Sequence, residues 1–261
     1  MASGVSLAGP DDGPPVMLLH GGGSNRRMWL RLTDHLADRY RVIALDLPGH
    51  GDHRRERFGL DAAVASASAA LDEHAGDEAA IVGTSLGGYV GLAMAARHAT
   101  RVSALVLSGA TAEYLGWGGF TTRLSAIVFR LAPRFRERKS AEAIRRIVAP
   151  ELAEPMVESG LSMRGAADAL WDLPGRDYHE MLEPYHGPLL ILNGERDSEN
   201  RRAEGRAKVA WPQARIEVVE DAGHACVVTQ PDRFAIAVRR FLDQLDEEAP
   251  SARVQSGRLA R

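Results

Sequence analysis

One short segment of the chain combines a reactive side chain with a distinctive spacing of glycines. Gly83-Thr-Ser-Leu-Gly87 fits the pattern glycine–x–serine–x–glycine, and it falls between an apolar run typical of a strand and a pattern typical of a helix. A serine on so sharp a turn would project its hydroxyl beside the free backbone N–H groups of the helix start. A chain with 26 glycines can also contain the pattern by chance. By itself the segment makes Ser85 a candidate nucleophile.

A serine hydroxyl needs a base within hydrogen-bonding reach, and the base needs a third group that sets its tautomer. Two loops that follow later strands supply candidates: one ends in Asp197 and the next ends in His224. Glu195 and Asp221 compete as the acid. Asp197 is favoured because it lies farthest beyond its strand, from where a carboxylate can turn back to the histidine. We therefore expect Ser85, Asp197 and His224 to meet.

The elements that must position these side chains alternate between strand and helix. Apolar runs predict strands at 16–20, 41–46, 79–83, 102–107, 188–192 and 215–219. Amphipathic or alanine-rich patterns predict helices at 28–36, 60–74, 86–98, 203–210 and 231–245. This alternation predicts an α/β fold, with a mostly parallel sheet covered by helices on both faces.

The alternation stops in the second half of the chain, where no strand is predicted over residues 111–187. Helical patterns occur there instead, at 121–131, 141–148 and 161–171. Because long loops without structure are uncommon, we expect a helical lid at 111–187 on a core of 1–110 and 188–246, followed by a disordered tail at 247–261. Aromatic and methionine side chains of the lid could line a substrate pocket or pack within the lid, the foremost being Trp117, Met163 and Trp171.

Composition excludes several classes of function. The 261 residues are 45% apolar and carry a formal net charge of −3, which fits one large domain and no nucleic-acid partner. The single cysteine, Cys226, forbids an internal disulfide, and no histidines show metal-ligand spacing, so no metal is expected. The sequence shows no signal peptide and no apolar run long enough to cross a bilayer. We therefore predict a cytoplasmic protein with a small-molecule substrate and no membrane partner.

Five motifs in order resemble those of the α/β-hydrolase fold superfamily, specifically its lidded, esterase-like serine hydrolases. They are His20-Gly-Gly-Gly23, Asp46-Leu-Pro-Gly-His-Gly51, Gly83-Thr-Ser-Leu-Gly-Gly88, Gly194-Glu-Arg-Asp197 and Asp221-Ala-Gly-His224. The resemblance covers roughly residues 16 to 245. It implies an oxyanion hole formed by the backbone N–H groups of Leu86 and of Gly22, with Gly23 as the alternative to Gly22. His20 and His50 belong to loop motifs and are expected to form structural hydrogen bonds.

The resemblance implies a hydrolase that cleaves a carboxylic ester of a small, largely apolar substrate through an acyl-enzyme, without a cofactor. The same triad in this architecture also serves carbon–carbon bond hydrolases, lactonases, thioesterases and cofactor-free perhydrolases. From a different class, a binding protein could keep the fold without turnover, although such a protein has no need of all three triad residues. The sequence leaves the natural substrate and the oligomeric state open.

Overall fold

A seven-stranded sheet forms the centre of the molecule in the computed structural model, which describes residues 4–256. Its strands are β1 (Val5–Ala8), β2 (Pro15–Leu19), β3 (Arg41–Leu45), β4 (Ala79–Thr84), β5 (Val102–Ser108), β6 (Leu189–Gly194) and β7 (Arg215–Val219). The spatial order is β1-β3-β2-β4-β5-β6-β7. All neighbouring pairs are parallel except β1 with β3, which is antiparallel. The mostly parallel sheet predicted from the sequence is confirmed.

Eleven α-helices accompany the sheet in the described part of the chain. Those of the α/β frame are α1 (Leu30–Leu36), α2 (Leu60–His74), α3 (Leu86–Arg97), α9 (Ser198–Ala210), α10 (Cys226–Thr229) and α11 (Pro231–Ser256). Those of the segment between β5 and β6 are α4 (Gly116–Arg130), α5 (Pro133–Ile147), α6 (Pro150–Glu158), α7 (Met163–Asp172) and α8 (Tyr178–Met181). No strand interrupts this segment, as the sequence predicts.

Alternate residues of the central strands face two separate apolar cores. One core contains Met17, Ile43, Ile81, Leu105 and Ile191, covered by α2 and α3. The other contains Leu18, Ala44, Val82, Val106 and Leu190, covered by α1 and α11. A strand buried on both faces is apolar throughout, which is why these strands are visible in the sequence as continuous apolar runs. Parallel pairing brings the carboxyl ends of β2, β4, β5, β6 and β7 to one edge, where the candidate site lies.

Two elements at the ends of the chain differ from those predicted from the sequence. The edge strand β1 was not predicted, because four residues that pair on one side only carry little periodic signal. The last helix was expected to end at Leu245, but it continues to Ser256. Glu247, Glu248 and Ala249 are good helix formers and extend it. The disordered tail predicted from Glu247 stays a prediction, and its last part, 257–261, lies outside the described residues.

Candidate active site

Ser85 lies on a strained turn between β4 and α3. Its backbone angles are φ 50° and ψ −115°, a conformation that side-chain-bearing residues rarely adopt. The turn is possible because the strand and the helix approach each other at glycines. A Cβ atom at Gly83 would lie 2.3 Å from the Gly87 carbonyl oxygen, and one at Gly87 would lie 2.0 Å from the Leu19 carbonyl oxygen. The two glycines of the motif are thus required by the backbone contacts around Ser85.

His224 and Asp197 meet across the loops that follow β7 and β6. The distance from His224 Nδ1 to Asp197 Oδ2 is 2.8 Å. Because an ionised carboxylate only accepts hydrogen bonds, Nδ1 carries the proton and Nε2 has a free lone pair. The competing carboxylates lie elsewhere: Asp221 pairs with Arg196, and Glu195 accepts the backbone N–H of Asp221. Among the three candidate acids, the structure joins Asp197 to the histidine.

The hydrogen bond between His224 and Asp197 shifts the pKa values of both side chains. The Asp197 carboxylate raises the pKa of His224 above its ordinary value, against an opposing effect of burial. Burial alone would raise the pKa of Asp197, but the hydrogen bonds donated by His224 and Asn200 outweigh it and hold this pKa below its ordinary value. The pair is therefore held in the form of an ionised carboxylate beside an imidazole that binds a proton readily.

The end of β5 connects the imidazole to the serine turn. The Ser85 N–H donates to the Ser108 carbonyl oxygen at 2.7 Å, which ties the turn to the last residue of β5. The next residue, Gly109, lies against the imidazole: a Cβ atom there would be 2.7 Å from His224 Cε1. Cys226 is fully buried and shares a 3.2 Å hydrogen bond with the Ser108 hydroxyl. Ser85 and His224 thus flank the same two residues at the end of β5.

Two buried asparagines around Asp197 were missed by the sequence analysis. Asn200 donates its Nδ2 to both Asp197 oxygens at 3.0 and 3.2 Å, and its Oδ1 accepts the backbone N–H groups of Thr111 and Ala112. Asn193 accepts the N–H of Gly109 at 2.8 Å. An asparagine inside the apolar strand β6 is the one sequence signal that could have indicated this network.

The glycine loop after β2 runs beside the serine turn. A Cβ atom at Gly21 would lie 3.7 Å from Ser85 Cβ, and one at Gly22 would lie 3.8 Å from Leu86 Cβ. Gly23 has φ +79° and faces α7, where a Cβ atom would be 2.8 Å from Met163 Cε. Of the two glycines proposed as the first oxyanion donor, Gly22 is the one next to Leu86.

A model of the alpha/beta hydrolase family matches residues 16–238. The chain belongs to this family. Its similarity to the pimeloyl-[acyl-carrier protein] methyl ester esterase of Neisseria meningitidis is 30% identity over 275 residues, covering 95% of this chain and 82% of the relative. For the enzyme of the same description from Salmonella newport, the identity is 29%, with 88% and 94% covered. A thermophilic esterase structure from Thermogutta terrifontis superposes with a TM-score of 0.76 and 26% identity, covering 92% of this chain and 93% of that one.

Two histidines of this hydrolase serve the loops instead of proton transfer, in line with their predicted structural role. Both nitrogens of His20 are engaged: Nδ1 donates to the Gly21 carbonyl oxygen at 2.8 Å, and Nε2 accepts the Leu47 N–H at 3.0 Å. Burial lowers the pKa of His20 to about 4 and that of His50 to about 3. Both rings are therefore neutral at pH 7, and His20 fastens the glycine loop to the end of β3.

The three residues of the segment 111–187 that were predicted to contact substrate lie in different environments. Met163 is buried and approaches the glycine loop at Gly23. Trp171 is 43% exposed, and the Arg130 guanidinium lies over its ring. Trp117 is 78% exposed and stacks on Phe120, with ring centroids 5.3 Å apart. The expectation that Trp117 lines a pocket is therefore not met, because α4 buries its small residues and turns its large ones outward.

Proposed function

We propose that this chain is a serine hydrolase that cleaves a carboxylic ester of a small, largely apolar substrate through an acyl-enzyme. The observation that carries the proposal is the 2.8 Å contact between His224 and Asp197, on loops that adjoin the strained turn at Ser85. The curated relatives named above act, by their descriptions, on a methyl ester, and the neighbouring structure is an esterase. A carboxylic ester is the bond that these descriptions share with the chemistry of the triad.

In the first half of the reaction, Ser85 attacks the ester carbonyl carbon while His224 Nε2 takes the hydroxyl proton. Asp197 holds the imidazole through Nδ1 and stabilises its cation. The backbone N–H groups of Gly22 and Leu86 donate to the developing oxyanion, and one such donor typically contributes about 3 kcal/mol of transition-state stabilisation. The tetrahedral intermediate then expels the alcohol, which leaves with the proton from His224.

In the second half, a water molecule attacks the acyl-enzyme carbonyl as His224 takes a proton from it. The acid is released when Ser85 recovers its proton from the histidine. Both halves move a proton between oxygen atoms through one imidazole. The scheme requires no cofactor.

We also propose that residues 111–187 act as a lid over a core of 1–110 and 188–246. The contacts that support this role come from α7. Met163 approaches Gly23, and Ala166 lies 3.9 Å from the Cβ position of Gly22, so the insertion lines the glycine loop directly. A cytoplasmic location, a small-molecule substrate and the lack of a nucleic-acid partner remain predictions from the sequence. In the described part of the chain, no helix combines the length and apolar character that a bilayer crossing requires.

The proposal is tested with a fluorophosphonate probe and a panel of short-chain aryl esters and methyl esters, together with thioester, lactone and diketone substrates. Wild-type protein should be labelled and should turn over esters, whereas Ser85→Ala should lose both properties with an unchanged circular dichroism spectrum. Labelling with turnover of diketones alone would assign a carbon–carbon bond hydrolase instead. Full esterase activity in Ser85→Ala would refute the assignment of the nucleophile.

A further inference from the structure

An apolar stripe runs along the exposed side of α4. It consists of Trp117, Phe120, Leu124, Ile127 and Leu131, which are spaced alternately three and four residues apart, and all five are among the exposed large hydrophobic residues. α4 packs on α7, and its buried residues are the small Gly119 and Ala126. Solitary exposed hydrophobic residues are ordinary, but a contiguous stripe of this size marks a surface that contacts something.

The charges around the apolar stripe have one sign. From Tyr114 to Arg136 the sequence contains four arginines and no aspartate or glutamate. Asp168 of α7 lies beside this helix and is paired with Arg130 at 2.6 Å. A helix that presents Trp, Phe, Leu and Ile on one side and arginines beside them has the composition of helices that lie on anionic membrane surfaces.

A basic cleft continues the surface beyond Leu131. It is a cavity of about 1320 Å³ between the loop after β3 and helices α5 to α7. Its six arginines are Arg54, Arg55, Arg57, Arg134, Arg138 and Arg164, against four acidic residues. Three of these acids are engaged, since Asp168 pairs with Arg130, Glu137 accepts the Met163 N–H and Glu56 pairs with His53. Within residues 4–256, no hydrogen bond or ion pair engages the side chains of Arg55, Arg57, Arg134 and Arg164.

We infer that the apolar stripe and the basic cleft together form a docking surface for an anionic lipid layer. The stripe would enter the acyl boundary, and phosphate groups of the lipids would meet the unpaired guanidinium groups of the cleft. Charge decides between this occupant and a second copy of the chain. Two acid-free stripes that pack on each other bring arginines against arginines, whereas an anionic surface neutralises them. Such a protein would lie on the membrane surface and would not cross the bilayer. The inference differs from the sequence prediction, which was that the protein has no membrane partner.

The experiment measures sedimentation with vesicles of phosphatidylcholine alone and of phosphatidylcholine mixed with phosphatidylglycerol, at about 0.15 M ionic strength and again at about 1 M. We expect binding to the mixed vesicles alone, and loss of that binding at the higher salt concentration. Ser85→Ala should bind like wild type, because docking does not use the proposed nucleophile. Failure of the docking proposal and failure of the proposed function are therefore distinguishable.

Two pairs of variants locate the surface. Trp117→Glu with Phe120→Glu changes residues that are 78% and 56% exposed, and the control, Val209→Glu with Ile236→Glu, changes residues elsewhere that are 82% and 54% exposed. The first pair should weaken vesicle binding by about tenfold or more, and the control should not change it. Arg134→Glu should weaken binding severalfold, and Arg202→Glu on α9 should do so less. Circular dichroism verifies that each variant is folded.

Several results would overturn the inference. The inference is wrong if the wild-type protein does not bind the mixed vesicles, or if its binding is unchanged at the higher salt concentration. It is also wrong if the stripe variants and the control variants lose vesicle binding equally. A wild-type dimer in sedimentation velocity that the stripe variants dissociate would assign the stripe to a second copy. Binding of polyglutamate to the basic cleft without any binding to vesicles would assign the cleft to an acidic protein.

Discussion

Gly109→Ala tests whether the end of β5 positions the proposed base. Gly109 has φ +61°, and the Cβ atom of an alanine would lie 2.7 Å from His224 Cε1 and 3.0 Å from Nδ1. Carbon atoms in ordinary contact are separated by about 3.5 Å or more, so the imidazole must move by roughly 1 Å. Such a movement lengthens the 2.8 Å bond to Asp197 and changes the approach to Ser85.

Two effects of different size follow from this substitution. A displacement of about 1 Å in a reacting group can lower the rate about a hundredfold, so kcat/KM should fall by that order. The left-handed backbone should cost about 1–2 kcal/mol of stability, which lowers the Tm by a few degrees in a domain of this size. At 25 °C the variant stays folded, and the loss of activity is then far larger than any loss of folded protein.

The assay pairs aryl-ester hydrolysis between pH 5 and 9 with thermal melting. Displacement from Asp197 should also lower the pKa of His224, so the acid limb of the kcat/KM profile should move to lower pH. Gly223→Ala is the matched control: it adjoins the same histidine, its φ is not positive, and a Cβ atom there meets nothing within 4 Å. Its activity should stay within about twofold of wild type. If Gly109→Ala kept full activity while its Tm fell, contact with β5 would not position His224.

Three further predictions concern the acid and the loops. In wild type, kcat/KM should rise with pH as His224 loses its proton, at a pKa above the ordinary imidazole value. Asp197→Asn should move this acid limb of the pH–rate profile to lower pH. The same substitution should reduce kcat by roughly 10⁴-fold. An unmoved limb would show that another group raises this pKa. Asn200→Asp keeps the acceptor for the Thr111 and Ala112 N–H groups but replaces the donor to Asp197 with a second carboxylate, so kcat/KM should fall about tenfold or more in the same assay. Wild-type activity in this variant would mean that the Asn200 side chain holds the backbone at Thr111 and Ala112 but does not position Asp197. Arg26→Ala should leave the buried Asp46 carboxylate without its ion pair and destabilise the fold by about 3–5 kcal/mol. The destabilisation should lower the midpoint of urea denaturation. An unchanged midpoint would contradict a stabilising role of the Arg26–Asp46 ion pair.

Local sequence patterns were sufficient to predict most strands and helices of the α/β frame, but not the edge strand β1 or the short helix α10. The strands that end at Leu19, Thr84 and Gly194 are buried on both faces, so each had to be apolar along its whole length and could be recognised as a strand. The turn at Ser85 requires glycines on both sides of it, and each of these glycines lies two residues from the serine in the sequence. Because chain order and strand ends place the loops of Asp197 and His224 at one sheet edge, the proposed triad was predictable as well.

Other features depend on which distant segments pack together. Asn200 is one polar residue among several at the start of α9, and only the fold brings its amide between Asp197 and the backbone of Thr111. Trp117 resembles a pocket residue in sequence, but α4 packs on α7 with its small residues buried and Trp117 exposed.

Sequence alone therefore determined the order of most strands and helices, the serine turn and the loops that carry the proposed base and acid, because each depends on periodicity or on neighbours along the chain. Tertiary structure decided which carboxylate meets His224, which asparagines hold that carboxylate and which side of α4 stays exposed. These features depend on contacts between residues far apart in the chain. Helical periodicity in the sequence predicts which side of a helix is apolar, but it does not predict which other part of the chain packs on that side.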